Sequence, residues 1–153
     1  MKVKDVMTRE VLTCTPETTL AEAAQLMWDG DCGILPVVEN GKLVGVVTDR
    51  DMYVALATRN VPAARLKVGA VATKTPFTCT PEDDIQTALA TMRQARVRRL
   101  PVVGFGNTVA GMLSMNDIVL AAGTGKDVKA DDVLTTLQAI CAHRQPAQHV
   151  AVA

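Results

Sequence analysis

The chain has 153 residues, of which 48% are hydrophobic, and its 16 Lys and Arg balance its 16 Asp and Glu. This length fits one compact domain or two small ones, and the zero net charge argues against general binding of polyanions such as nucleic acids. Aromatic residues make up only 3% of the chain, so the composition predicts an aliphatic core and excludes a stacking platform for bases.

Neither a targeting segment nor a disulfide framework is indicated. The N-terminal sequence, MKVKDVMT, lacks the apolar stretch of a secretory signal, and no run approaches the roughly 18 apolar residues of a membrane helix. The four cysteines, Cys14, Cys32, Cys79 and Cys141, form no CxxC pair and are expected to be free thiols in a reducing compartment. We therefore expect a cytoplasmic protein that does not bind membranes.

An internal repeat organises the chain. Three motifs occur twice in the same order: TCTPE at 13–17 and 78–82, LPVV at 35–38 and 100–103, and GVVTDRD at 45–51 against GMLSMND at 111–117. Each copy is only about 60 residues long, and a unit of that size rarely buries enough surface alone. The two copies are therefore predicted to share one core.

The predicted elements follow the same order in each copy. In the first copy Leu20, Ala23 and Met27 share one helix face, and Thr19-x-x-Glu22 is a capping box that begins this helix. Two short strands and a second helix follow, at 34–38, 43–47 and about 49–59, the strands being joined by a hairpin that contains glycine. The sequence thus predicts β-α-β-β-α twice, with a link at 61–67 and a C-terminal helix near 130–143. The predicted domains are 1–62, 68–124 and a tail of 125–153.

A hydroxyl and a carboxylate follow the last strand of each copy, as Thr48-x-x-Asp51 and Ser114-x-x-Asp117. One interpretation is structural, because such a capping box satisfies backbone N–H groups at the start of a helix. The other is functional, because a helix N-terminus attracts phosphate and a nearby carboxylate accepts hydrogen bonds from a ribose diol. The spacing does not separate the two interpretations.

Taken together, these motifs resemble a tandem pair of CBS domains, the Bateman module, over about residues 1–123. The resemblance rests on DVMT at 5–8, the Thr-x-Thr-Pro turns, the LPVV motifs and the GVVTDRD motif. It implies an α/β (α+β) fold of two βαββα units that pack about a pseudo-two-fold axis. It also implies two clefts that bind adenosine-containing ligands such as AMP, ATP, S-adenosylmethionine or NAD, and a homodimer.

The resemblance further implies which residues bind the ligand. In the family the Asp of the last motif holds the ribose hydroxyls, its Ser or Thr lies near the ribose and phosphate, and residues before the LPVV motif read the base. The candidate ligand-binding residues are Cys32, Gly33, Ile34, Thr48, Arg50, Asp51, Val97, Arg98, Arg99, Ser114, Asn116 and Asp117. No catalytic or metal-binding residue is predicted.

The two copies differ in their arginines. Arg98 and Arg99 stand where the first copy has Gly33 and Ile34. They belong either to a solvated helix end, where cations are favoured, or to a phosphate site that uses guanidinium forks. We therefore expect unequal clefts, the better phosphate site being closed by Ser114, Asp117, Arg98 and Arg99.

Several weaker candidates remain. Cys14 and Cys79 occupy equivalent positions and are interpreted as buried core thiols, with redox sensing or metal binding as the alternative. Cys141, His143 and His149 match no zinc spacing, and Trp28 is interpreted as a packing or dimer contact. The GTGK sequence at 123–126 lacks the full phosphate-loop pattern, so a helix end and linker are expected there.

The leading functional hypothesis is a regulatory module without catalytic activity or an obligatory cofactor. We expect it to bind an adenosyl nucleotide, AMP or ATP above all, and to act on a separate partner protein. The apolar positions of the tail helix (Val133, Leu134, Leu137, Ile140 and Cys141) contribute to the dimer or cover a cleft. The alternatives are a nucleotide hydrolase and an interaction protein whose clefts are vestigial.

Overall fold

Two β-hairpins and five α-helices make up the computed structural model, which describes residues 1–122 and 128–142. In chain order they are α1 (Leu20–Asp29), β1 (Ile34–Glu39), β2 (Lys42–Thr48), α2 (Asp49–Arg59), α3 (Ile85–Ala95), β3 (Arg99–Val103), β4 (Val109–Ser114), α4 (Met115–Ala122) and α5 (Ala130–Cys141). The predicted α/β (α+β) class with two similar repeats and a C-terminal helix is confirmed. In the described ranges no helix has both the length and the apolar character needed to cross a bilayer.

Each repeat is built on an antiparallel hairpin. β1 and β2 pair from Ile34 opposite Thr48, and β3 and β4 pair from Arg99 opposite Ser114. In both hairpins the register shifts at a bulge between the two valines of the LPVV motif. The leading strand predicted for each repeat is reduced to one residue, since Cys14 and Cys79 each form a single parallel bridge with the hairpin.

Capping boxes begin three of the helices, α1, α2 and α4. At α1 the Glu22 backbone N–H donates to Thr19 Oγ1 at 3.2 Å, and the Thr19 backbone N–H donates to Glu22 Oε2 at 2.7 Å. The hydrogen bonds from the Thr19 backbone and hydroxyl hold the pKa of Glu22 below its usual value. The predicted start of this helix is therefore confirmed, and its apolar face, Leu20, Ala23 and Met27, is buried.

The segment that leads into each repeat packs on the other repeat. The Val3 backbone N–H donates to the Asp83 carbonyl at 2.9 Å, and Thr8 and Met112 exchange two backbone hydrogen bonds of 3.0 and 2.9 Å. In the same way Val46 and Thr73 exchange hydrogen bonds of 3.0 and 2.9 Å. Residues 1–8 thus complete the second repeat, and residues 66–73 complete the first.

This exchange changes how the core is organised. Leu66 and Val68 lie in a hydrophobic cluster with the helices and hairpin of the first repeat. Val3 and Met7 lie in a separate cluster with those of the second repeat, to which Val133 of α5 also belongs. The prediction of one shared core is wrong, because each repeat obtains the missing apolar surface from the segment that crosses over to it.

A glycine marks each place where the exchanged segment crosses a hairpin. A Cβ atom added at Gly45 would lie 2.7 Å from the carbonyl oxygen of Thr73, and one added at Gly111 would lie 2.5 Å from that of Thr8. Carbon and oxygen atoms that are not bonded to each other do not approach so closely. The glycine that begins the GVVTDRD and GMLSMND motifs is therefore required by the close approach of two backbones.

The environments of the cysteines predict how they react with alkylating reagents. Burial raises the pKa of Cys14 to about 11, and burial together with the Asp83 charge raises that of Cys79 to about 12. At pH 8 the thiolate fraction of Cys14 is then about 100-fold below that of a free thiol. We expect iodoacetamide to label exposed Cys141 first and half-buried Cys32 next, whereas Cys14 and Cys79 react only in urea, as mass spectrometry of peptides would show.

The same pKa shifts set a pH dependence. Because the folded-state pKa of both thiols lies above the ordinary value of 9.0, folding favours the protonated form. Their contribution to stability is complete below about pH 9 and is lost as the pH rises toward 11 and 12. If Cys79 were labelled at equal rates in the native and the urea-unfolded chain, its thiol would not be buried, and the raised pKa on which this pH dependence rests would be contradicted.

Candidate ligand-binding clefts

Two clefts lie where the hairpins meet the helix starts. Cleft 1, with a volume of about 670 Å³, is lined by Thr48 and Asp51 at the start of α2 and by Arg98 before β3. Cleft 2, with a volume of about 300 Å³, is lined by Ser114 and Asp117 around the start of α4. Both clefts thus contain the hydroxyl and carboxylate pair that follows the last strand of a repeat.

Each cleft is built from both repeats. Cleft 1 combines the strand-to-helix junction of the first repeat with residues 95–99 and 73–77 of the second. Cleft 2 combines the junction of the second repeat with residues 30–32 and 10–12 of the first. This arrangement follows from the segment exchange, which brings the residues leading into one repeat against the hairpin of the other.

The capping boxes in the clefts support both interpretations of the motif. In cleft 1 the backbone N–H and the hydroxyl of Thr48 donate to Asp51 Oδ2 at 3.0 and 2.7 Å, and the Asp51 N–H donates to Thr48 Oγ1 at 3.1 Å. Ser114 and Asp117 repeat these hydrogen bonds at 2.7, 2.7 and 3.2 Å. Only Oδ2 of each aspartate is used within the described part of the chain, so Oδ1 remains able to accept hydrogen bonds from a ligand.

All the candidate residues predicted from the sequence line one of the clefts, and their contact with a ligand stays a prediction. Cleft 1 contains Gly33, Ile34, Thr48, Arg50, Asp51, Val97, Arg98 and Arg99. Cleft 2 contains Cys32, Ile34, Arg99, Ser114, Asn116 and Asp117. Ile34 and Arg99 therefore border both.

The expected grouping of the arginines with Ser114 and Asp117 holds for Arg99, which lines cleft 2 as well as cleft 1, but is wrong for Arg98. The Arg98 carbonyl accepts a hydrogen bond from the Met115 N–H at 2.9 Å, so its backbone lies at the junction of the second repeat. Its side chain nevertheless lines cleft 1 and not cleft 2. Arg98 lies in the segment between α3 and β3, and all of residues 95–99 line cleft 1, so this segment of the second repeat faces the junction of the first.

Several lining residues were not predicted from the sequence. Asp49 lines cleft 1, and Gly33 makes room for it, since a Cβ at Gly33 would lie 2.8 Å from Asp49 Oδ2. Phe77 also lines cleft 1, so the low overall aromatic content does not keep an aromatic side chain out of this cleft. The repeat carries the signal that could have found it, since Phe77 stands where the first copy has Leu12, and Leu12 lines cleft 2.

The charges of the two clefts are opposite. Four arginines (Arg50, Arg96, Arg98 and Arg99) and two aspartates (Asp49 and Asp51) line cleft 1, which gives a net formal charge of +2. Three carboxylates (Glu10, Asp31 and Asp117) and one arginine (Arg99) line cleft 2, which gives −2. Cleft 1 is therefore the one whose electrostatics favour an anionic ligand.

The remaining candidates lie beside the clefts or outside the described residues. The C-terminal end of α5 borders cleft 1 through Ile140 and Cys141, whereas Trp28 is 83% exposed and lines neither cleft. Within residues 1–122 and 128–142 no three His, Cys, Asp or Glu side chains are grouped to hold a metal ion. His143, His149 and the GTGK sequence at 123–126 lie outside the described residues.

Comparisons with known proteins identify the repeats. The family model of the CBS domain matches residues 3–58 and 68–123. The CBS domain-containing protein YhcV of Bacillus subtilis (strain 168) is 35% identical over 135 residues, which cover 88% of this chain and 94% of YhcV.

Two solved structures are similar to the whole pair of repeats. The CBS domain pair of protein MJ0100, in complex with 5′-methylthioadenosine and S-adenosyl-L-methionine, has a TM-score of 0.74 and 25% identity, covering 82% of this chain and 98% of the other. CBSX2 in complex with AMP has a TM-score of 0.68 and 26% identity, covering 79% and 95%.

Proposed function

Because the chain belongs to the CBS domain family, we propose that cleft 1 is a regulatory site for an adenine nucleotide, AMP or ATP above all. The observation that carries this proposal is the composition of cleft 1. It joins a carboxylate oxygen able to accept ribose hydroxyls, Asp51 Oδ1, to a group of arginines that includes Arg98 and Arg99. The complexes of similar proteins with adenosine-containing compounds support the adenosine part of the ligand.

Each part of the nucleotide has a suitable partner in cleft 1. Asp51 already accepts two hydrogen bonds from Thr48 on Oδ2, which fixes the carboxylate so that Oδ1 receives the ribose diol. The guanidinium groups of Arg50, Arg98 and Arg99 have no hydrogen-bond or ion-pair partner in the described part of the chain and bind the phosphate. The adenine lies against the apolar side chains of Val97 and Phe77.

We propose regulation rather than catalysis as the outcome of binding. The ligand contacts both repeats, so its binding energy favours one relative arrangement of the two, and a partner protein responds to that arrangement. A second copy of the chain fits the exposed apolar side chains of α2 and α4. Among these, Tyr53 is 73% and Leu120 is 76% exposed.

Calorimetric titration of the full chain with AMP and adenosine tests the proposal. We expect AMP to bind more tightly than adenosine, because only AMP engages the arginines. Asp51→Ala should weaken both ligands by 10-fold or more, since a hydrogen bond to a charged group is worth about 1.5–3 kcal/mol. Asp117→Ala is the matched control, because it removes the equivalent carboxylate from cleft 2 and should leave AMP binding at cleft 1 unchanged.

Two results would overturn the proposal. One is equal affinity for AMP and adenosine, which would show that the arginines do not recognise the phosphate. The other is no binding of either compound, together with no rise in Tm at millimolar ligand, although saturation at 100 times Kd should add about 2.7 kcal/mol to the free energy of unfolding. That second result would favour an interaction protein with vestigial clefts.

Phe77 is expected to contribute to the affinity for adenine. Phe77→Leu places at this position the residue that the first copy carries there, Leu12, and retains most of the apolar contact while it removes the aromatic face. We expect AMP affinity to fall about 3- to 10-fold, since aromatic stacking is worth about 0.5–1.5 kcal/mol beyond the buried area. An unchanged Kd in the same titration would show that the adenine does not contact Phe77.

A further inference from the structure

Cleft 2 has the same construction as cleft 1 but the opposite charge. Ser114 and Asp117 reproduce the capping box of cleft 1, and Asp117 is half-buried with only Oδ2 used by hydrogen bonds in the described residues. Such a carboxylate is able to hold a ribose diol in the same way as Asp51. Cleft 2 therefore retains the part of the site that recognises a nucleoside.

The part of the site that would recognise phosphate is replaced. Arg96 of cleft 1 has Asp31 as its counterpart in the other repeat, Thr75 has Glu10, and Arg98 has Gly33. Asp31 and Glu10 line cleft 2, whereas Gly33 has no side chain and lines cleft 1 instead. A phosphate placed there would face carboxylates where in cleft 1 it faces guanidinium groups.

The one cation of cleft 2 does not restore a phosphate site. Arg99 is the sole Lys or Arg that lines cleft 2 among the described residues, and it lines cleft 1 as well. An anionic ligand in cleft 1 competes for the Arg99 guanidinium and leaves the carboxylates of cleft 2 without a counter-charge. The volume of about 300 Å³, less than half that of cleft 1, also suits a ligand without a phosphate chain.

From these observations we propose that the two clefts bind ligands of opposite charge, and that cleft 2 takes a nucleoside whose 5′ substituent carries a positive charge and no phosphate. The inference deepens the proposed function, since it rests on the same recognition of ribose by the capping-box aspartate. It adds that Glu10 and Asp31 select the charge of the ligand in cleft 2. The chain would then respond to two classes of compound instead of one.

Three probes that differ only at the 5′ position test this selection: AMP, adenosine and 5′-amino-5′-deoxyadenosine, whose amine is protonated at pH 7. Calorimetric titrations are made with the wild-type chain, Asp51→Ala and Asp117→Ala. We expect the amine to bind cleft 2, so that Asp117→Ala weakens it by 10-fold or more and Asp51→Ala leaves it unchanged. AMP should show the reverse pattern.

The double variant Glu10→Gln and Asp31→Asn removes the two charges and retains the size of both side chains. Asn is suited to position 31, because Asp31 has a φ of 45° and Asn adopts this left-handed region readily. We expect the affinity of cleft 2 for the amine to fall about 10-fold, with less loss for adenosine. An affinity of cleft 1 for AMP that is retained or raised would show that the variant is folded.

The outcomes separate this inference from the proposed function. If AMP binds and is sensitive to Asp51→Ala while the amine does not bind or loses affinity in the same variant, the inference is overturned and the proposed function stands. Equal affinity of cleft 2 for AMP and the amine, or an amine affinity that the double variant does not change, also overturns it. If the amine binds as expected and AMP does not bind at all, the proposed function fails and the charge selection of cleft 2 is supported.

Discussion

Gly111→Ala is expected to lower the free energy of unfolding by about 2–4 kcal/mol, because the new Cβ would lie 2.5 Å from the carbonyl oxygen of Thr8. Backbone atoms cannot move aside as the end of a side chain can. The exchanged segment must therefore retreat, and the two hydrogen bonds between Thr8 and Met112 lengthen or break. In a chain of this size the loss corresponds to a fall in Tm of about 5–15 °C, measured by thermal or urea unfolding.

Gly45→Ala and Gly104→Ala are the companion variants. Gly45 lies at the other crossing, where an added Cβ would lie 2.7 Å from the Thr73 carbonyl oxygen. Gly45→Ala should therefore lower the free energy of unfolding by a similar amount. Gly104 belongs to the second repeat, but the nearest atom to an added Cβ is Thr108 Oγ1 at 3.3 Å, on a side chain that is able to rotate. We expect Gly104→Ala to change stability by less than 1 kcal/mol. A Tm of Gly111→Ala equal to that of Gly104→Ala would contradict the exchange of segments.

The crossing points also hold the clefts together. Thr8 lines cleft 2 and Thr73 lines cleft 1, and each is fixed by its two backbone hydrogen bonds to a hairpin. Residues 10–12 and 75–77, which line the clefts directly, follow these anchors in the chain. The small size of Gly45 and Gly111 is thus a requirement of the two clefts as well as of the fold.

The features that the sequence predicted correctly depend on local signals. The capping boxes at Thr19, Thr48 and Ser114 satisfy backbone groups within four residues, so the starts of α1, α2 and α4 could be located from spacing alone. The apolar period of α1 and the internal repeat determined the remaining elements. Because the candidate residues stand next to these boundaries, their presence in the clefts followed from the same signals.

The features that the sequence did not predict depend on contacts between distant residues. Nothing near Val3 indicates that it is buried with the second repeat, since its neighbour in space, Asp83, is far along the chain. The prediction for Arg98 was wrong for the same reason, because the segment before β3 belongs to the second repeat in sequence but lines the cleft that contains the junction of the first. A single sequence carries no information on such pairings until the exchange of segments is known.

Arg98→Ala is expected to reduce the affinity for AMP about 10- to 100-fold and to leave the affinity for adenosine nearly unchanged, given that cleft 1 binds the nucleotide as proposed. The guanidinium has no partner in the described residues, so its removal costs no internal ion pair and acts on the phosphate alone. Arg65→Ala is the matched control, since it removes the same charge from an exposed position that lines neither cleft.

A double-variant cycle then shows that Arg98 and Asp51 act in one site although they belong to different repeats. Asp51→Ala should weaken AMP and adenosine to the same degree, because both contain the ribose diol. Since the two side chains bind separate parts of the ligand, their effects on AMP should add to within about 0.5 kcal/mol. If Arg98→Ala behaves as Arg65→Ala, or if its effect appears only at the site that Asp117→Ala abolishes, the assembly of cleft 1 from two repeats is wrong.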